Sequence, residues 1–129
     1  MVDTIYAEPQ SAPSIHEQAA NGSVEALSQI AAAHYANANK GREPAVIALA
    51  RAVEFGRLAS LKGGRREMVS FLYLLEQHSH AMRDVGLDAL ADLTHGQAVA
   101  LAENMANEGD QEIADMLVRG ARSAGRALH

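Results

Sequence analysis

Gly22-Ser23-Val24-Glu25-Ala26-Leu27, Gly64-Arg65-Arg66-Glu67-Met68-Val69 and Gly109-Asp110-Gln111-Glu112-Ile113-Ala114 are three versions of one pattern. Each places a Gly three residues before a Glu and an apolar residue directly after it, with a longer apolar stretch beyond. The glycines stand 42 and 45 residues apart. A period of roughly 40–47 residues is the size of a helical hairpin in an α-solenoid. The pattern therefore predicts an all-α chain of antiparallel helix pairs stacked in a row. Helix capping also favours Gly before a helix and Glu in its first turn, so a compact irregular helical bundle remains the alternative.

The segments between these landmarks read as helices. Residues 1–13 hold Pro9 and Pro13 and show no helical period, so they form an expected N-terminal arm, with a single helical domain over 14–129. Ser14-Ile15-His16-Glu17 has the form of a capping box, opening a short helix that ends at Asn21-Gly22. A second helix starts at Ser23, with the stripe Leu27, Ile30, Ala31 and His34. Pro44 is expected in the first turn of a third, which runs to about Leu61. That helix carries Val46, Ile47, Leu49, Val53, Phe55 and Leu58 around much of its circumference, the mark of a central helix. After Gly63-Gly64 comes a helix with Met68, Phe71, Leu72, Leu75 and Met82 on one side. Asp84-Val85-Gly86 breaks the chain again. A short helix facing inward through Leu87, Leu90 and Ala91 is expected next. Thr94-His95-Gly96-Gln97 then reads as a capping box for a separate helix with Ala98, Leu101, Ala102 and Met105. Asp110 caps the last helix, whose inward stripe is Ile113, Leu117, Gly120, Ala124 and Leu128. No segment has a period of two, so no sheet is expected.

Composition narrows the function classes. The chain has 129 residues, enough for one domain with a core of its own. It contains no Cys, which removes disulfides, thiolate catalysis and thiolate metal sites. Trp is absent, and Phe and Tyr number two and three, so the core must be aliphatic. A net charge of −5 argues against nonspecific binding to nucleic acid, which needs a positive field. No secretory signal and no apolar run of about 20 residues is visible, so a cytoplasmic protein is expected.

Residues 19–35, AANGSVEALSQIAAAHY, resemble the start of a Sel1-like repeat, a relative of the tetratricopeptide repeat. That family favours a Gly, then an acidic residue followed by Ala, then Leu and small residues within the first helix. Residues 106–121, ANEGDQEIADMLVRGA, are similar. The middle segment, residues 61–76, keeps Gly and Glu but has Phe71 and Leu72 where small residues belong. The resemblance implies a protein–protein interaction scaffold, with no catalytic residues to carry over.

Other constellations compete with plainer readings. Glu76 and His80 stand four apart on one helix and could share a metal, with His95 or His34 to complete the set. A surface Glu–His pair beside a core-edge His78 is the favoured reading, and no metal or cofactor is expected. His34 and His78 are expected to be partly buried and hydrogen-bonded. Gly63-Gly64-Arg65-Arg66 could hold an anion at a helix N-terminus, or be a solvated turn. Arg119, Arg122 and Arg126 give the last helix a basic face that could dock an acidic partner. The same arginines also stabilise a helix C-terminus, and Asp115 is set to pair with Arg119. Gly120, Ala121, Ala124 and Gly125 would let two helices approach closely, inside the domain or between two copies. No nucleophile–base constellation can be assembled, so an enzyme is not expected.

The expected function is a non-enzymatic module that binds another protein chain, or a second copy of itself. The candidate surface comprises Ile5, Tyr6, Arg65, Arg66, Arg119, Arg122 and Arg126. The alternative is a helical bundle that binds a small ligand or metal, lined by His34, Tyr35, Tyr73 and His78.

Overall fold

A computed structural model describes the backbone of residues 14–127 and the side chains of residues 14–120. The chain is all-α. Its described helices are α1 (Ile15–Ala20), α2 (Val24–Asn39), α3 (Ala45–Lys62), α4 (Arg65–Asp84), α5 (Asp88–Asn107) and α6 (Gln111–Ala127), with no strand among the described residues. The chain forms two compact units, Met1–Phe71 and Leu72–His129, and the division falls within α4.

Four turns share one geometry. Gly22, Gly41, Gly86 and Gly109 have φ of 91°, 70°, 85° and 104°, a region that side chains with a Cβ avoid. Each donates its N–H three residues back, and the residue after it donates five back. The bonds run from Gly22 to Ala19 and Ser23 to Gln18, from Gly41 to Ala38 and Arg42 to Asn37, from Gly86 to Arg83 and Leu87 to Met82, and from Gly109 to Ala106 and Asp110 to Met105. This double bond is the Schellman motif, which satisfies the last carbonyls of a helix. At Gly22, Gly86 and Gly109 the next residue is already the cap of the following helix, so the chain turns a corner with no spare length.

The helix starts follow local chemistry. In the predicted capping box, Ser14 Oγ accepts the Glu17 N–H at 3.1 Å and Glu17 accepts the Ser14 N–H at 2.9 Å. Ser23 Oγ accepts the Ala26 N–H, and Asp110 accepts the Ile113 N–H, both at 3.2 Å. Pro44 stands one position earlier than expected, as the N-cap of α3; its carbonyl accepts the Ile47 and Ala48 N–H groups at 3.0 Å. Glu43 closes the preceding loop by accepting from Asn37 and pairing with Arg51.

In the first unit α2 packs on α3. Ala26, Leu27, Ile30 and Ala31 are buried on α2; Ala48, Leu49, Ala52, Val53, Gly56 and Ala59 are buried on α3. The predicted α2 stripe stands, except that His34 lies at its half-buried edge. On α3 the structure corrects the reading. Leu49 and Val53 are buried as expected, but beside them the helix buries its small residues, Ala48 and Ala52 completely, while Ile47, Leu58 and Leu61 are exposed. Small side chains let the helix axes approach, and a close approach leaves Ile47 and Leu58 at the rim. Arg57 covers the buried Phe71 ring, its guanidinium carbon 5.0 Å from the centroid.

In the second unit α4 contributes Leu72, Leu74, Leu75, Ala81 and Met82 to the core, and α5 contributes Ala91, Ala98, Ala102 and Met105. Ser79 is buried and its Oγ donates to the Ala91 carbonyl at 2.9 Å, fixing α4 against α5. Ile113 is the buried anchor of α6, and Leu117 is half-buried. Gly120 is exposed rather than inward. The expected break at Thr94–Gln97 does not occur, because α5 runs through it. Ala91, Ala98, Ala102 and Met105 form one stripe only if the helix is continuous. Burying that stripe outweighs the roughly 1 kcal/mol that Gly96 costs inside a helix.

Candidate functional site

The basic Gly-Gly-Arg-Arg segment has its own anion. Glu67 turns back to accept the Gly64 N–H at 2.8 Å, and Arg66 Nε lies 3.3 Å from its other oxygen. The Gly64 hydrogen bond is the main reason the Glu67 carboxyl lies below its ordinary value; partial burial opposes it and the Arg66 charge assists. Gly63 makes this possible, since a Cβ there would stand 2.5 Å from the Glu67 carboxylate. Arg65 and Arg66 are exposed beside the turn. Gly64 is the N-cap of α4, as its carbonyl accepts the Met68 N–H at 3.1 Å. Gly22 and Gly109, by contrast, each close the helix before. The three Gly-x-x-Glu segments thus have two local geometries: the first and third agree, and the middle one is its own.

The other candidates fall as follows. Ile5 and Tyr6 lie outside the described residues. Arg119 is exposed on α6, and the side chains of Arg122 and Arg126 lie outside the described set. Asp115 accepts a hydrogen bond from Gln111 at 2.9 Å, in place of the expected pairing with Arg119. Glu76 meets His95 of α5 at 2.8 Å across the α4–α5 pair, while His80 is exposed. Among the described residues no three His, Cys, Asp or Glu side chains gather closely enough to hold a metal. His78 is half-buried, and that burial lowers its pKa. His34 stacks on Phe55 with centroids 5.8 Å apart, and its buried Nδ1 lacks the hydrogen-bond partner expected of it. His34 and Tyr35 belong to the first unit; Tyr73 and His78 belong to the second.

The feature that sequence reasoning missed is an uncovered apolar patch at the start of α5. Leu87, Leu90 and Leu93 are 41%, 51% and 66% exposed, with Val85 at 63% in the adjoining corner. Leu87 and Leu90 were expected to face inward. At 3.6 residues per turn, Leu90, Leu93, Gln97, Leu101 and Asn104 share one side of the helix. The acidic residues of α5, Asp88, Asp92 and Glu103, lie on other sides, and Asp92 binds Arg83 of α4 at 2.8 Å. The row is therefore apolar at one end, uncharged along its length, and separate from the ion pairs between α4 and α5. The signal was present in the spacing, but the alanine stripe beside it has the same period.

No match was found. The comparisons covered family models, curated proteins and solved structures. Among the described residues no helix is long and apolar enough to cross a membrane.

Proposed function

We propose that this chain is a non-enzymatic protein–protein interaction module, built of helical hairpins of the Sel1-like or tetratricopeptide kind, that binds another protein chain in the cytoplasm. The observation that carries the reading is the exposed row Leu87, Leu90 and Leu93 beside Val85. Scattered surface leucines are ordinary, but three leucines and a valine grouped at the start of one helix form a patch of the sort that marks interaction sites. Each leucine is about half exposed, so covering it favours association by about 1 kcal/mol. The tight glycine corners fix the helix ends, so the row is presented on a rigid element.

The test compares the full chain with a Leu90→Glu/Leu93→Glu variant, each immobilised and exposed to an extract of the native host. The proposal expects a protein captured by the parent and lost by the variant, while circular dichroism stays the same. Identical capture by both, or by neither, refutes it. The rival reading, a bundle that binds a small ligand, draws on the unpartnered His34 Nδ1 beside Phe55. A ligand screen in which thermal shifts vanish on His34→Leu would favour that reading.

A further inference from the structure

We infer that Asn21 is a site of spontaneous deamidation, and that undocking of α1 sets its rate. The sequence holds one Asn-Gly pair, Asn21-Gly22, and it forms the corner between α1 and α2. The chemistry needs only water. The Gly22 amide nitrogen attacks the Asn21 side-chain carbonyl carbon, forming a carbon–nitrogen bond and a five-membered succinimide. The side-chain nitrogen leaves as ammonia and carries off the proton that the Gly22 nitrogen gave up. Water then opens the ring. Cleavage at the side-chain carbonyl leaves aspartate; cleavage at the main-chain carbonyl leaves isoaspartate, whose backbone runs through one extra methylene. Glycine eases the attack, because no Cβ crowds the nitrogen, and at φ 91° this corner requires glycine. Lys40, Val85 and Glu108 hold the same place before Gly41, Gly86 and Gly109, and none of them carries an amide side chain.

The docked corner blocks the reaction twice. The Gly22 N–H is engaged with the Ala19 carbonyl at 2.9 Å. Asn21 has ψ of 4°, so the Gly22 nitrogen eclipses the Asn21 backbone nitrogen, whereas ring closure needs it to eclipse Cβ. Asn21 must therefore rotate about its Cα–C bond, which breaks the Gly22–Ala19 and Ser23–Gln18 hydrogen bonds and releases α1. That release costs little. α1 has six residues and none is buried; Ile15 and Ala19 are half-buried, and Asn21 is exposed. On the α3 side the corner meets Lys62, an exposed side chain whose ammonium would stand 2.9 Å from a Cβ on Gly22. An element with so little buried surface opens at the low end of the range of local unfolding energies. Each opening exposes the Gly22 N–H and frees the Asn21 rotation. The isoaspartyl product does not re-form the corner, since its longer backbone displaces both Schellman bonds. The reaction therefore leaves α1 undocked.

The experiment incubates the full-length chain in mildly alkaline buffer at body temperature, folded and in guanidinium. Asn21 is followed by peptide mass mapping, with the aspartyl and isoaspartyl forms separated by chromatography. The inference expects both products at Asn21 in the folded parent, formed several-fold more slowly than in the unfolded chain. Ser14→Ala should raise the folded rate about fivefold, the factor that one lost helix cap is worth, and leave the unfolded rate unchanged. Gly96→Ala, in α5, should change neither rate, because local opening leaves the second unit folded. In aged parent, protease cleavage within residues 15–23 should rise in step with isoaspartate; Asn21→Gln, aged alike, should show no such rise. An intact Asn21 in the folded parent overturns the inference, as does a folded rate equal to the unfolded one or indifferent to Ser14→Ala. A folded rate that falls with Gly96→Ala overturns local undocking, because unfolding of the whole chain would then govern. Isoaspartate without added cleavage overturns the release of α1.

Discussion

Ser79 offers the most direct test of the α4–α5 packing on which the exposed row depends. Its side chain is buried, and its Oγ donates to the Ala91 carbonyl at 2.9 Å; Ala91 has no exposed surface at all. That carbonyl also lies within a continuous helix, where it accepts the bond of its own ladder. Ser79→Ala therefore removes one neutral hydrogen bond and strands no polar group. The expected cost is about 1 kcal/mol, the usual net worth of such a bond. Ser79→Val removes the same bond and adds a methyl group where two helices touch through a serine and an alanine. Overpacking of this kind costs about 1–3 kcal/mol, so the valine variant should lose roughly 2–4 kcal/mol in all. His80→Ala, exposed one position away, should stay within about 0.5 kcal/mol of the parent. Urea unfolding followed by circular dichroism measures all three, with stability read from the midpoint at unchanged slope. If Ser79→Val is as stable as Ser79→Ala, the helices are not in close contact at this point. The register that leaves Leu90 and Leu93 outside would then be wrong.

Further outcomes follow from the turns and the histidines. Gly96→Ala should stabilise by about 0.5–1 kcal/mol, because Gly96 is helical with nothing within 4 Å of an added Cβ, whereas Gly109→Ala at φ 104° should destabilise by about 1–2 kcal/mol; thermal melts give both signs. Gly63→Ala should lower the melting temperature by a few degrees in the parent and change nothing in a Glu67→Ala background, since its Cβ acts by displacing the Glu67 cap. The folded-state pKa of Glu67 is depressed, so its contribution is present above the ordinary value of 4.5 and lost as pH falls through the folded value; Glu67→Gln should flatten the acid limb of stability against pH. His78 is a base whose folded pKa lies below its ordinary 6.5, so the unfolded chain binds the proton more readily and stability should fall as pH drops below 6.5. His78→Leu should remove that slope.

Much of the fold was legible because it rests on local rules. The glycines at 22, 86 and 109 sit where a helix must end in a left-handed residue, and Ser14, Ser23 and Asp110 carry the oxygen that a free helix N-terminus needs; at Gly41, where the polar run Ala36–Gly41 reads as fraying, the helix instead holds to Asn39. Each of these signals spans no more than six residues, so the sequence displays it completely. The Thr94–Gln97 box failed for the opposite reason. It has the right residues for a cap, but whether a cap forms depends on the stripe Ala91, Ala98, Ala102 and Met105, spread over fifteen positions and buried only in the assembled unit. Local chemistry proposed a break, and tertiary burial overrode it.

The same competition explains why the candidate surface was not legible. On α3 and on α5 the bulky residues and the small residues each form a stripe of helical period, and hydrophobicity alone selects the bulky one. The structure buries the small one in both, Ala48, Ala52, Gly56 and Ala59 on α3 and Ala91, Ala98 and Ala102 on α5, and of the bulky residues buries only Leu49 and Val53 on α3 and Met105 on α5. A helix seated through alanines brings its backbone close to its neighbour and gains many short-range contacts, whereas a helix seated through leucines stands farther off. Once alanine faces inward, the rotation of the helix is fixed. Residues between about a quarter and a half turn away then point to solvent, as Leu58 and Leu61 do on α3 and Leu90 and Leu93 do on α5. The exposed leucines are thus a consequence of alanine packing, and on α5 that packing leaves Leu90 and Leu93 on a side without charged residues.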